Sequence, residues 1–551
     1  VPVLDNTQQD DVLVFDGSTS FDGGMDSRTL PRALPADKYV EMVNIDTAES
    51  GTACTRKGTE LWGTGLIANS TKPVQGMGFY NTYNKTELIV ARDGKIYSQQ
   101  SESPTAAWVR VNLEASDFNL ANSDATVYFT MLEGKMFFSD GVGTLRWIEP
   151  LSTTASGLVI RTAPQQVFGT GANAVTLPAP SGLLFLTTHI GRIFAVDTQY
   201  PDTLRVSTIL SASGTDSWNS VDSTTLSGLR AISDGDAITG ITTWTGTKLV
   251  VFKRHSTFVL DAAGDVSDWS IQNIDENVGC ASHRTIARVG SDVFWLSDEG
   301  VRTLVRTLSG TENQVSDPLS RPINTLIGDI YQPSIEKSSA YFYENRYILS
   351  VPKIPDASTR FSIVFNTLTR SWSGKWVGMD ALHYIRYTNG TVDSLFLGMQ
   401  DGTVRRWFGG GKGDSFASFM YYDVGVPYES YVVTKDYTFG DYLTKKSLFS
   451  AEIDFLESSA GIDMSLIRDS SAKVGIITDV DTDTVGVTLP FFLNSECILS
   501  TAYEKRIGCS FIGTEQCKAV RLYIHSPAGR MNLVSIAISA YIDTYLPTIN
   551  Q

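Results

Sequence analysis

The sequence predicts an all-β protein, a β-propeller of about seven blades followed by a C-terminal antiparallel β-sandwich. Three observations point there: a hairpin signature that recurs along the first three quarters of the chain, a near absence of convincing helical stretches, and a change of composition after Trp407. At 551 residues the chain exceeds the ~250–300 residues over which a single core keeps growing, so two or more domains are expected. Hydrophobic residues make up 42% and charged residues 19%, a composition suited to packed cores and unlike general disorder. The expected division is an N-terminal arm and platform segment over residues 1–65, a propeller over 66–410 and a sandwich over 411–551.

Within the first segment, "ADKYVEMVNID" (36–46) is open to two readings, one short helical turn or an extended stretch. Seven related segments follow. They are "TELIVARDGKIYSQ" from Thr86, "GKMFFSDGVGTLRWIE" from Gly134, "GRIFAVDTQYPDTLRVS" from Gly191 and "TKLVVFKRHSTFVLD" from Thr247. "SDVFWLSDEGVRTL" from Ser291, "NRYILSVP…FSIVFNTLTRSW" from Asn345 and "SLFLGMQDGTVRRW" from Ser394 complete the series. Each joins a run of β-branched, aromatic and leucine residues to a second such run through a turn carrying Asp, Gly or Asn, which is a β-hairpin. The dipeptides Asp93-Gly94, Asp140-Gly141 and Asp401-Gly402 are strong turn signals, since glycine reaches the positive φ that tight hairpins need.

A lone hairpin cannot bury its apolar face, and the copies recur at roughly 45–57 residues, so each repeat is expected to hold two hairpins in a four-stranded sheet. Repeats of that size are propeller blades. A tandem of two-layer sandwiches would also alternate strands, but it seldom repeats one hairpin signature so often.

All ten tryptophans lie between Trp62 and Trp407, and just after Trp407 comes "FGGGKGDSF" (408–416), a glycine-rich linker or blade-closing loop. A phosphate-binding loop would need a strand before it and a helix opening with Lys-Ser/Thr after it, whereas aromatic and β-branched text follows. Residues 445–547 then carry six or seven short alternating runs, among them "KSLFSAEIDFLES", "KAVRLYIHS" and "MNLVSIAISAYID", which read as the sandwich.

The formal net charge of −16 gives a field that repels phosphate and anionic lipid, so tight grasping of nucleic acid is not expected, while a surface that lets DNA slide past without sticking is compatible with it. Cys54, Cys280, Cys497, Cys509 and Cys517 are odd in number and without CxxC spacing, which reads as reduced thiols in packing positions. Only Cys509 and Cys517 are spaced for a hairpin bridge. No stretch reaches the ~18–20 apolar residues of a membrane-spanning helix, and "VPVLDNTQQDDVLVF" lacks the basic start and apolar core of a signal peptide, so a soluble, unexported protein is expected.

Candidate chemical sites are weak. "DVDTD" (479–483) opens like a calcium loop, but Thr484 stands where glycine is needed and Pro490 where the closing glutamate is needed. His189, His255, His283, His383 and His525 are dispersed, with no metal-binding spacing. Asp298 and Glu299 are adjacent, so on a strand they would point to opposite faces instead of facing each other as a glycosidase pair does. The Ser-x-Asp-x-Gly-x-x-Trp box of sialidase blades is not met, and no nucleophile elbow precedes a helix. "VRRWF" (404–408) and "FKRH" (252–255) are short cationic pairs and weak nucleic-acid signals. No catalytic, cofactor-binding or metal-binding residues are therefore assigned, and no cofactor or enzymatic activity is expected.

Residues 21–65, with "GGMD", Asn44 in "VNID" and the turn built on Gly51, Arg56, Lys57 and Gly58, resemble the opening of phage virion proteins. "YFYENRYILSVP…IVFNTLTRSWSGKW" (341–376) resembles a blade of those proteins, and "FGDYLTKKS" (439–447) resembles their entry to the sandwich. Together these are similar to propeller-bearing tail proteins of short-tailed phages, in particular the tail nozzle. The resemblance implies a virion protein made in the host cytoplasm, assembled as a ring, typically six copies, around a DNA channel. It implies a tail adaptor and fibre proteins as neighbours. It carries over no gate residue. The alternative from another class is a glycan-binding or glycan-cleaving propeller at a host surface.

Overall fold

The computed structural model describes residues 12–542 except 48–50, 67–71, 84, 100–102, 152–156, 169–173, 219–227, 233–234, 307–312, 390–391, 409–420, 457–460, 470–473, 482–503 and 511–515. Each of the seven sequence repeats forms the two middle strands of a four-stranded unit. Units one to four consist of Val74–Thr82, Lys85–Arg92, Lys95–Gln99 and Val109–Leu113; Tyr128–Leu132, Lys135–Ser139, Arg146–Pro150 and Leu158–Thr162; Leu183–His189, Arg192–Asp197, Thr203–Val206 and Gly228–Ala231; and Ile238–Thr243, Lys248–Lys253, Thr257–Asp261 and Ser270–Asp275. Unit five holds Ala287–Val289, Asp292–Ser297, Gly300–Arg306 and Asn313–Val315, and unit six holds Ser339–Tyr343, Arg346–Lys353, Asp356–Asn366 and Ser371–Trp376. Unit seven takes His383–Asn389, Val392–Gly398 and Val404–Trp407 from late in the chain and its fourth strand, Thr59–Leu61, from the beginning.

The units follow one another round a closed ring, as blades of a propeller. First strands of successive units lie together, unit seven returns to unit one, and between units four and five the turn His283–Thr285 makes the contact. Alternating residues on the middle strands explain why every repeat reads as an unbroken apolar run. Leu88 and Val90 pack with Phe396 and Val404 of unit seven, whereas Ile89 and Ala91 pack with Phe138 and Ile148 of unit two. Phe194 and Val196 pack with Leu249 and Val251 of unit four, and Val250 and Phe252 with Val293 and Trp295 of unit five. A strand buried on both faces has no polar face to alternate with.

In all three Asp-Gly turns the glycine takes the expected positive φ, 71° at Gly94, 74° at Gly141 and 79° at Gly402. Asp93 and Gly94 both have positive φ, 51° and 71°, as a two-residue hairpin requires. Asp140 and Asp401 act instead through their carboxylates, which accept from the backbone N–H groups of Gly143 (2.7 Å) and Thr403 (2.8 Å). The segment 36–46 resolves as extended, in the short strands Lys38–Tyr39, Glu41–Val43 and Ile45–Asp46. Among the described residues the one α-helix is Asn324–Gly328, and no helix is long and apolar enough to cross a membrane.

Beyond the ring lie two further sheets. In one, Lys446–Leu456 lies between Glu504–Ser510 and Asn532–Ile542, and the latter also pairs with Val12–Ser18 and Ala53–Thr55. In the other, Glu41–Val43, Ser430–Val433, Val520–Ser526, Gly461–Arg468 and Val474–Asp481 succeed one another and continue the sheet of unit six, to which Val43 is joined by its parallel pairing with Lys375. Ile453, Phe455, Ile536 and Ile538 of the first share a single hydrophobic cluster with Met464, Leu466, Leu522 and Ile524 of the second, and that cluster runs on to Phe294 and Leu349 of units five and six.

Hydrogen-bonded strands cross the divisions drawn at residues 65 and 411. N-terminal strands belong to both outer sheets and to unit seven, whose sheet also takes in Tyr422–Asp423 and Val426–Pro427. Cys509 lies opposite Ala451 and Cys517 opposite Lys446. Five positions along one strand are about 17 Å, too far for the hairpin bridge that spacing allowed.

Ring and outer sheets meet at Arg56, which is fully buried. Its Nε donates to Asn44 Oδ1 (3.0 Å), Nη1 to Lys57 O (3.0 Å) and Asp423 Oδ1 (3.2 Å), and Nη2 to Val377 O and Asp423 Oδ2. The guanidinium lies 3.9 Å from the centroid of the Tyr428 ring, whose hydroxyl donates to Arg56 O. Gly378 touches this group. Its φ is +87°, and a Cβ there would stand 2.4 Å from Asp423 Oδ2 and 3.2 Å from Arg56 Nη2. Gly425 has a similar φ, +77°, with nothing near its Cβ position. Gly425→Ala should therefore cost only the backbone term of about 1–2 kcal/mol, while Gly378→Ala also disturbs a buried ion pair and should lower the thermal unfolding midpoint by roughly twice as much or more. Equal shifts for the two variants in a thermal unfolding scan would refute the packing described at Gly378.

Candidate functional site

The residues weighed for chemistry fall apart in space. Asp298 pairs with Arg254, and Glu299 with Arg302, so the two carboxylates face different cations. Arg405 and Arg406 of "VRRWF" pair with Asp401 and Glu60, and buried Lys253 of "FKRH" donates to Ile232 O (2.6 Å). Asp479, Val480 and Asp481 lie within the strand Val474–Asp481, while residues 482–483 of "DVDTD" and 409–416 of the glycine-rich stretch lie outside the described residues. Among the described residues no group of three or more His, Cys, Asp or Glu side chains is placed to hold a metal ion. Cys280 is a buried free thiol donating to Ser282 O (3.2 Å), and burial pushes its pKa up to about 12, far from a reactive thiolate.

Histidines separate into different settings. His255 is exposed on a loop 3.9 Å from Asp298, and His525 lies 3.5 Å from both Glu429 and Asp463. His189 is buried beside Phe194, which holds its pKa below the usual value by desolvation. His283 and His383, a hundred residues apart in sequence, converge on Arg284, and spacing alone did not reveal it. What could have pointed to them is position within the repeat, because each stands at the entry to a unit's first strand.

That convergence occupies the propeller hub. His283 stacks on Phe185 of unit three at 4.6 Å between ring centroids, and Tyr128 of unit two closes edge-on against both, at 5.3 Å from Phe185 and 5.6 Å from His283. Phe79 of unit one meets Tyr387 of unit seven at 5.0 Å. Arg284 Nη1 donates to Leu382 O and His383 Nε2, both at 3.4 Å, and Nη2 to Glu336 O at 3.3 Å. These contacts tie the turn before unit five to the segment leading into unit seven. First strands of units one, two, three and seven thus carry aromatic side chains that meet on the inner side of the ring, where Phe79, Tyr128, Phe185, His283 and Arg284 are half-buried.

Hydrogen-bond direction fixes both imidazoles as neutral. His383 Nε2 accepts from Arg284, and His283 Nδ1 accepts from Ile241 N–H (3.4 Å). Desolvation, then the neighbouring Arg284 charge, pushes the His283 pKa down to about 3; the same causes, with Arg360 added, hold His383 well below the ordinary histidine value. Arg360 is itself lowered to about 10 by burial and by Arg284, and burial raises the Asp380 carboxyl nearby. The hub thus packs cations against carbonyls and aromatic rings and excludes a proton from either histidine.

No family model matches the chain, and no curated protein matches it. Among solved structures it is similar to the computationally designed Ika8 protein, at 13% identity and a TM-score of 0.35 over 64% of this chain and 99% of the other. It is also similar to the AfRom2 CNH domain (11% identity, TM-score 0.35, 66% and 100% covered) and to the Neurospora crassa Pan2 WD40 domain (10% identity, TM-score 0.35, 66% and 96% covered).

The hub histidines give stability a defined pH dependence. Their folded pKa values lie below the unfolded value of about 6.5, so below that pH the unfolded chain binds protons that the folded chain refuses, and stability falls as pH drops from there toward about 3. His283→Phe removes one of the two and should flatten the acid limb of the stability curve by roughly 1.4 kcal/mol per pH unit. Thermal unfolding midpoints of wild type and variant between pH 7 and 4.5 test this, and parallel curves would refute it.

Proposed function

We propose that the chain is a non-enzymatic structural protein of a phage virion, a tail nozzle or tail-tube component. It assembles as a ring, six copies on the family pattern, around a DNA channel, with a tail adaptor and tail fibre proteins as neighbours. It is made in the host cytoplasm and ends in the virion, where it helps deliver DNA.

One observation carries this reading. The residues behind the resemblance to tail proteins gather at the seam between ring and outer sheets. Asn44, Arg56, Lys57 and Gly58 form or adjoin the buried knot, residues 341–376 make most of unit six, and Phe439 N–H donates to Asp16 Oδ2 (3.2 Å) beside the N-terminal edge strand. A pattern placed on a mechanical joint favours a scaffold over a binding pocket.

Duplex DNA would pass between subunits of the ring, as the resemblance implies. A net charge of −16 suits a wall that does not retain it.

Purified protein at virion-like concentration should give closed rings in negative-stain micrographs, with the opening bounded by several subunits, and should not retard duplex DNA in a gel at low salt. A strictly monomeric particle, or DNA drawn tightly to the isolated chain, would contradict the reading.

A further inference from the structure

A cleft of about 410 Å³ lies where the N-terminal segment crosses units five and six, lined by Arg28, Glu299, Arg302, Asp317, Pro318, Arg321 and Asn324. Three guanidinium groups meeting in one cleft are notable in a chain of net charge −16. Two carboxylates occupy part of their capacity, Glu299 on Arg302 and Asp317 on Arg321 (3.3 Å). The remainder is unfilled. Arg28 makes no ion pair among the described residues, so all five of its N–H donors are available. Arg302, only 8% exposed, donates through Nη1 to Ser316 O (2.9 Å), yet its buried Nε has no hydrogen-bond partner.

The cleft is held open by its frame. The N–H groups of Ser27 and Arg28 both donate to Pro322 O, at 2.9 and 3.2 Å, and the Ser27 and Thr325 hydroxyls bond across the same seam. The backbone of Arg28 is thereby held at the rim that Arg321 and Asn324 also line, and Arg302 stands on the β-hairpin of unit five. Surplus donors of positive charge around a cavity in the size range of small-molecule sites call for an acceptor-only, multi-oxygen ligand.

We propose that this cleft binds a phosphoryl group, as free phosphate or as the phosphate of a small phosphomonoester, with the exposed guanidinium groups of Arg28 and Arg321 as its cations. The site stands apart from the hub and from the role in a virion, and neither depends on it.

The test is thermal unfolding of the full chain titrated with inorganic phosphate and, separately, with ribose 5-phosphate, against sodium chloride at equal ionic strength. Arg28→Ala/Arg321→Ala is the variant, since both side chains are exposed and its unliganded midpoint should stay near wild type. Expected is a saturable rise in midpoint beyond the chloride control, weakened about tenfold or more in apparent affinity in the double variant. Tighter binding of phosphate assigns the site to the free ion, and tighter binding of the sugar phosphate to an ester. No rise beyond chloride with either probe, or a rise undiminished in the double variant, would overturn the proposal.

Discussion

Arg56 is the constraint on which the rest of the architecture depends. A fully buried guanidinium is tolerable only when its donors are met, and here five groups meet it, Asn44 and Lys57 from the N-terminal segment, Val377 after unit six, and Asp423 and the face of Tyr428 from the segment after unit seven. Asn44 is held at φ 55°, its side-chain amide donating to Glu429 O (2.8 Å) while its Oδ1 also accepts from Val377 N–H (2.8 Å). Removing any one partner leaves charge or polar groups buried without compensation, which costs far more than the assembled pair contributes. The knot therefore specifies one arrangement of ring and sheets more than it adds bulk stability.

A second clamp lies alongside. Arg346 of unit six binds Asp46 through Nε, at 3.1 and 3.0 Å, and Nη2, at 2.8 Å, with its guanidinium 5.4 Å from the Trp407 ring centroid. The indoles of Trp376 and Trp407 donate to Ile45 O and Lys57 O. Residues 44–47 and 51–58 thus lie between units six and seven on one side and the outer sheets on the other, and the strand Thr59–Leu61 that follows completes unit seven. Closing the ring and attaching the outer sheets are linked in the topology, because both use the N-terminal strands Val12–Ser18, Glu41–Val43, Ala53–Thr55 and Thr59–Leu61.

Much of this was legible. Every recurring hairpin turned out to be the middle pair of a four-stranded unit, because strands buried on both faces announce themselves as continuous apolar runs. First and fourth strands were harder to see, since they are partly exposed and less regular, as in Tyr128–Leu132 and Ser270–Asp275. The division at residue 65 could not foresee that Thr59–Leu61 pairs with Val404–Trp407, a pairing that spans almost the whole ring and leaves no local mark. Asn44, Arg56, Lys57 and Gly58 stood out by pattern, though the pattern did not say that they form a joint. Arg284 with its two histidines, and the cleft around Arg302, are assembled from distant turns, for which residue spacing carries no signal.

Native-state hydrogen exchange on Arg56→Met tests the joint most directly. If the knot couples ring and sheets, exchange should rise together in Ser371–Trp376 of unit six and in Lys446–Leu456 of the outer sheet, by about two orders of magnitude or more for the loss of a buried pair. A rise confined to the strands that touch residue 56, with Lys446–Leu456 as protected as in wild type, would contradict the account.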